Sequence, residues 1–167
     1  MPGRKKDISY AKTIAVRYLS RMPRTTMEVE LRLQKKGVDG GDIKEVISYL
    51  SEAGYLNDEV FAKNWINSKL KNRLWGRNRI IQGLKQKGTP EEIIKQAITA
   101  SDLGTSELNA AKAALEKWLR NKNKPDIQIK QRAFRYLLGR GFPASIIITA
   151  IKEITSDCGE LTVYEGQ

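Results

Sequence analysis

The chain has 167 residues, 40% of them apolar, and 30 Lys and Arg against 19 Asp and Glu give a net charge of +11. It contains no histidine and one cysteine, Cys158, which excludes a His or Cys metal cluster, a histidine general base and an internal disulfide. The excess of cations suits a polyanionic partner: nucleic acid, an acidic protein face or, less well, a membrane surface.

The opening MPGRKKDISY is basic but has no apolar signal-sequence core, and the longest apolar run, Ile146 to Ile148, is far short of a membrane span. A cytoplasmic protein is expected. Residues 1–7 read as a disordered basic arm. From Ile8 the apolar residues Ala11, Ile14, Ala15, Tyr18 and Leu19 recur at three- and four-residue spacing and predict a first helix. Met22-Pro23 stops it, and Thr25 with Glu28 forms a capping box for a second helix running to Lys36. Gly37 supplies its left-handed C-terminal position. After the turn Asp39-Gly40-Gly41-Asp42, a stripe of Ile43, Val46, Ile47 and Leu50 predicts a third helix ending at Gly54.

The cycle restarts at Asn57. A helix is predicted from about Asp58 to Asn72, then a break at Trp75-Gly76, a helix to Lys87 closed by Gly88, and a helix begun by Thr89, Pro90 and Glu92. A linker around Asp102-Leu103-Gly104 precedes a seventh helix carrying Ala111, Leu115, Trp118 and Leu119. The polar run Asn121 to Lys124 and Pro125 end it. Asp126 caps an eighth helix that reaches Leu138, Gly141 closes it, and Pro143 starts a ninth with Ile147, Ala150, Ile151 and Ile154. Residues 155–167 carry three acids and no base and read as a mobile acidic tail, with Cys158 an inert thiol.

Counting from Gly37, Gly88 and Gly141 exposes a repeat. Eight residues before stand Val29, Ile80 and Ala133; four before, Leu33, Leu84 and Leu137; six after, Ile43, Ile94 and Ile147; nine after, Val46, Ala97 and Ala150. The first helices align as Ala11, Ala62 and Ala111. An all-α fold of three tandem three-helix, helix-turn-helix-like repeats follows: 8–56, 57–104 and 105–154. Units this small bury little surface alone, so stacking of the first helix of one on the third of the previous is expected, in an elongated, curved rod. Leu84→Ala is expected to cost roughly 2–5 kcal/mol.

Several segments carry a resemblance: Arg21-Met22-Pro23-Arg24-Thr25 with Glu28 and Leu33; Gly54-Tyr55-Leu56-Asn57-Asp58 with Phe61-Ala62; Trp75-Gly76 with Arg79-Ile80, Leu84 and Lys87-Gly88; and Arg140-Gly141-Phe142 with Ile146 and Ile151. Over about residues 8–154 the chain resembles the RecX family of bacterial recombination regulators. Asn57, Met22 and Asn78 depart from the family's usual Asp, Arg and Pro, at a cap or in turns, and Asn caps about as well as Asp. The resemblance implies a non-enzymatic protein that lies along the RecA filament on DNA and restrains its strand exchange and ATPase in repair, recombination and the SOS response. It implies no cofactor, and a monomer is expected.

The charge is uneven along the repeats. Asn57 to Gly88 holds eight cations and two acids, Thr105 to Ile154 ten and four, and Thr25 to Leu56 four and six. The basic faces of the second and third repeats are therefore the expected partner or DNA contacts: Lys69, Lys71, Arg73, Trp75, Arg77, Arg79, Lys85, Lys87, Lys130, Arg132, Arg135 and Arg140. Trp65 falls beside Phe61 and Ala62 as core, whereas Trp75 either packs over a helix junction or lies on a base or partner surface. The rival reading is a helix-turn-helix-like DNA-binding protein. Third helices that are acidic or apolar offer few base-reading groups, so DNA contact would go to phosphate. No phosphate loop, paired-carboxylate motif or nucleophile with an adjacent base is present, and no enzyme activity is expected.

Overall fold

The computed structural model describes residues 8–101, 103–120 and 127–156. The basic arm, Asp102, the run from Asn121 through Asp126 with its expected cap, and the acidic tail with Cys158 lie outside the described residues. Among the described residues there are nine helices and no strand: α1 Ile8–Leu19, α2 Thr26–Lys35, α3 Gly40–Glu52, α4 Asp58–Arg73, α5 Arg77–Gln86, α6 Glu91–Ala100, α7 Leu103–Leu119, α8 Ile127–Gly139 and α9 Ala144–Ser156. They form an all-α tandem-repeat fold.

The repeated glycines end the second helices as expected. Gly37, Gly88 and Gly141 have φ of 70°, 75° and 85°. Behind each, the next amide bonds back to the buried leucine of the stripe: Val38 N–H to Leu33 O, Thr89 N–H to Leu84 O and Phe142 N–H to Leu137 O. A Cβ is strained at this φ, which is why glycine recurs there. The stripe positions are the core. Leu33, Leu84 and Leu137 are fully buried, as are Ala11, Ala62 and Ala111, and Ile43, Ile94 and Ile147 nearly so. At ten residues past each glycine, Ile47, Ile98 and Ile151 are only half-buried.

Two boundaries differ from expectation. Leu103 and Gly104 belong to the first turn of α7, because Leu103 is 4% exposed and anchors that helix in the core. Thr155 and Ser156 extend α9 beyond the expected start of the tail. The chain also divides into two compact units, one of the described residues up to Trp65 with Gln82–Ala100, the other of Ile66–Ile81 with the described residues from Ser101 onward. The middle repeat thus contributes to both.

Candidate anion-binding site

Each unit contains a joint between the second helices of successive repeats, and the two joints use matching positions. In the first unit the Thr25 hydroxyl, twelve residues before Gly37, donates to Lys87 O at 2.6 Å. The Thr26 amide then donates to Asp58 Oδ1 at 2.9 Å. In the second unit Gly76, twelve before Gly88, donates its N–H to Arg140 O at 2.9 Å, and the Arg77 amide donates to Glu107 Oε1 at 2.6 Å. Lys87 and Arg140 each immediately precede a repeat glycine; Asp58 and Glu107 each stand four residues before Ala62 or Ala111. A carboxylate from the next repeat's first helix therefore caps the free N-terminal amide of α2 and of α5. The stacking expected from sequence was first helix on third; these hydrogen-bonded joints run through the second helices.

The second joint is the closer. Asn78 N–H donates to Gly141 O at 3.0 Å, and a Cβ on Gly76 would run into the backbone of Gly141 and Phe142. Glycine at 76 is what lets the two backbones approach. In the first unit the matching Thr25 keeps its side chain, which also accepts the Glu28 amide at 3.2 Å in the capping box expected from sequence.

Nine residues before the repeat glycine, the joints part company. In the first unit this position is Glu28, which pairs with Lys87 at 2.7 Å and with Arg24 at 3.4 Å. Burial raises the Glu28 pKa, but hydrogen bonds from Lys87 and the Thr25 amide, with the charges of Lys87 and Arg24, outweigh it and hold the carboxyl below its ordinary value. In the second unit the same position is Arg79. Its guanidinium lies 4.5 Å from the centroid of the Trp75 ring, and its Nη1 reaches Gly139 O at 3.4 Å. The residue matching Lys87 is Arg140, whose Nη1 donates to Arg73 O at 2.7 Å and to Leu74 O at 3.2 Å. Leu74 sits at φ 51°, a left-handed conformation that costs a non-glycine residue about 1–2 kcal/mol, and Arg140 holds that turn in place.

A cleft of about 660 Å³ opens at this second joint, lined by Lys69, Arg73, Trp75, Arg79, Lys117 and Arg140 among others, with no carboxylate among its lining residues. Lys69 Nζ lies 5.3 Å from the Trp75 centroid. The aromatic ring therefore orients cations here. Trp75 is half-buried, with Arg79 over its ring, and lines the cleft. Five cations facing one cleft without acids raise its positive potential and suit an anion presenting several oxygens, such as phosphates or clustered carboxylates.

Of the residues singled out from sequence, the cleft gathers Lys69, Arg73, Trp75, Arg79 and Arg140. Lys71 lines a separate recess with Asn67 and Asn109. Arg77 is held by Glu107, its Nε 2.8 Å from Oε2; the acid is fully buried and the arginine side chain 39% exposed, so this cation closes the joint. Lys85 pairs with Glu91 at 3.5 Å and Lys87 with Glu28, both in the first unit. Lys130 and Arg135 border an apolar groove on the third repeat, and Arg132 is exposed on α8. Trp65, expected as core, is half-buried and stacks on the buried Phe61, ring centroids 5.8 Å apart. Lys117 was missed: it arrives from α7, and no local pattern points to it. Among the described residues no group of acids and cysteine could hold a metal ion, and no helix is long and apolar enough to cross a membrane.

The three repeats are similar to known proteins. Residues 11–50, 57–98 and 105–151 match the family models for the first, second and third three-helix domains of RecX. The regulatory protein RecX of Clostridium perfringens (strain SM101 / Type A) is 29% identical over 87% of this chain and 69% of its own length. That of Bacillus subtilis (strain 168) is 30% identical over 91% of this chain and 58% of its own. Among solved structures, RecX from Lactobacillus salivarius superposes with a TM-score of 0.81 and 27% identity, covering 90% of this chain and 98% of that one.

Proposed function

Because the chain belongs to the RecX family of regulatory proteins, we propose that it binds the RecA filament assembled on DNA and restrains strand exchange and ATP turnover by RecA. The basic cleft is the contact in this reading. The observation that supports it is the replacement, at matching positions of two otherwise similar joints, of an acid by a base. Glu28 neutralises Lys87, whereas Arg79 adds its charge to Arg140. Two like charges at one joint cost stability unless they meet an anion, and a filament of protein and DNA offers carboxylates and phosphates in a regular array.

The test is a titration of RecA's DNA-dependent ATPase and strand exchange with the wild-type chain and with Arg79→Glu and Arg73→Glu variants, alongside a DNA-binding control without RecA. Arg77 is left unchanged, since its reversal would oppose the buried Glu107. The variants should inhibit about tenfold less, equivalent to roughly 1.4 kcal/mol, and with a shallower salt dependence. Equal inhibition by Arg79→Glu would remove the cleft from the contact. Wild-type protein that leaves RecA untouched but binds duplex DNA would favour the helix-turn-helix-like alternative.

A further inference from the structure

The turn between α4 and α5 carries the one non-glycine residue with positive φ among the described residues, Leu74 at 51°. Gly, Asn and Asp take this conformation readily, whereas a leucine has no polar group to offset the clash of its Cβ. Fourteen residues before the repeat glycine, the first repeat has Pro23 where the second has Leu74. A proline ring fixes φ at about −65°, so the first repeat cannot form this turn.

A strained residue persists only where its surroundings impose the strain. At Leu74 the imposing group is identifiable. The φ torsion runs between the carbonyl carbons of residues 73 and 74, and Arg140 Nη1 donates to both of their oxygens, at 2.7 Å and 3.2 Å. One nitrogen bonded at both ends of the torsion sets it directly. At the first joint Lys87, in the place of Arg140, pairs with Glu28 instead. Strained turn and arginine clasp therefore occur together, at the joint with the cationic cleft.

The clasp is open to competition. Arg140, Arg73 and Leu74 all line the cleft, and Arg140 Nε is buried with no hydrogen-bond partner. The acceptors of the clasp are neutral carbonyls, whereas a phosphate offers charged oxygens in the geometry a guanidinium matches, with hydrogen bonds about twice as strong. The turn also has space to move into. Leu74 borders a second recess, of about 300 Å³, walled by Asn67 of α4 and by Ser106, Asn109 and Ala113 of α7.

We propose that the α4–α5 turn is a switch worked by the anion in the cleft. The anion draws the Arg140 guanidinium off the two carbonyls, Leu74 relaxes to negative φ with its side chain in the recess, and Trp75, next in the chain, moves with it. The equilibrium shifts because the anion bonds Arg140 only in the released state. Strain held in the empty cleft is relieved on binding and adds to affinity. The switch rests on the reading of the cleft as an anion site and gives that site a second, filled shape.

The probe is tripolyphosphate, titrated calorimetrically at constant ionic strength into the wild-type chain, Leu74→Gly and Leu74→Ala. Both substitutions remove the leucine side chain, but only glycine takes positive φ without strain. Leu74→Gly should bind about five- to thirtyfold more weakly than Leu74→Ala, which keeps the strain and should match wild type within about threefold. In a chain with Trp65→Phe and Trp118→Phe, the emission of Trp75 should shift as the probe saturates. Equal affinities of the glycine and alanine variants, or Trp75 emission constant through saturation, would overturn the switch and leave the cleft an anion site. Binding that Arg79→Glu does not weaken, or no binding by the wild-type chain, would remove the cleft as an anion site and the switch with it.

Discussion

At the first joint Glu28 meets Lys87 and Arg24; at the second, Arg79 stands in the place of Glu28, beside Arg140 and over Trp75. Everything that holds the joints closed is nevertheless shared in kind. A carbonyl just before the repeat glycine accepts a hydrogen bond from the start of the preceding repeat's second helix, and a carboxylate from the next first helix caps that helix. The supports differ in depth: the first joint relies on a threonine hydroxyl and the half-buried Asp58, the second on backbone contact at a glycine and the fully buried Glu107. The comparison teaches that closure and charge are carried by different residues. A joint tied by backbone and by one buried acid leaves its remaining polar positions free to present cations.

The largest effect should come from Glu107→Ala. Breaking a buried ion pair costs roughly 3–5 kcal/mol, and the partly exposed Arg77 places this one at the low end. Asp58→Ala, the matching change at the first joint, should cost about 1 kcal/mol, the usual loss of a helix cap. Urea unfolding of both variants measures the difference, and equal costs would break the contrast in depth. Next comes Gly76→Ala, whose Cβ meets the Gly141–Phe142 backbone and should cost roughly 1–3 kcal/mol by overpacking. Thr25→Ala at the matching place should cost about 1 kcal/mol through its hydrogen bonds.

Acid sharpens the comparison further. Glu28 has its pKa lowered in the folded chain, so its ionised form stabilises the fold at neutral pH. That contribution is lost as pH falls below about 4.5 and through the lowered folded value. A thermal midpoint followed down this range should drop less steeply in Glu28→Gln than in wild type. The smallest stability effect belongs to Arg79→Glu, expected within about 0.5 kcal/mol because the residue is exposed and makes one long hydrogen bond. A large loss of stability in that variant would show that the arginine closes the joint after all.

The scaffold was legible because burial and glycine conformation leave marks at fixed spacing: the residues four and eight before each glycine are apolar in all three repeats and buried in all three. The site was legible only in part. Grouping cations by closeness in sequence gathered Arg77 with Arg73 and Arg79, yet its partner Glu107 lies 30 residues on. Setting Asp58 beside Glu107 in the repeat frame is the signal that separates it. The same frame sets Glu28 against Arg79, a reversal that counting only apolar positions passes over. Lys117 left no such mark, since a lysine on an exposed helical face looks the same whether or not it overlooks a cleft.

The caps also set an order of events as the chain is made. The Thr26 amide waits for Asp58, 32 residues downstream, and the Arg77 amide for Glu107, 30 downstream. During synthesis α2 therefore has its local capping box before the Thr26 amide has a carboxylate, and the Arg77 amide of α5 lacks one until the following repeat is made. Neither joint can form before its later partner is made: the first needs the chain up to Lys87, the second the chain up to Gly141, so the cationic cleft has a longer wait than the neutralised joint.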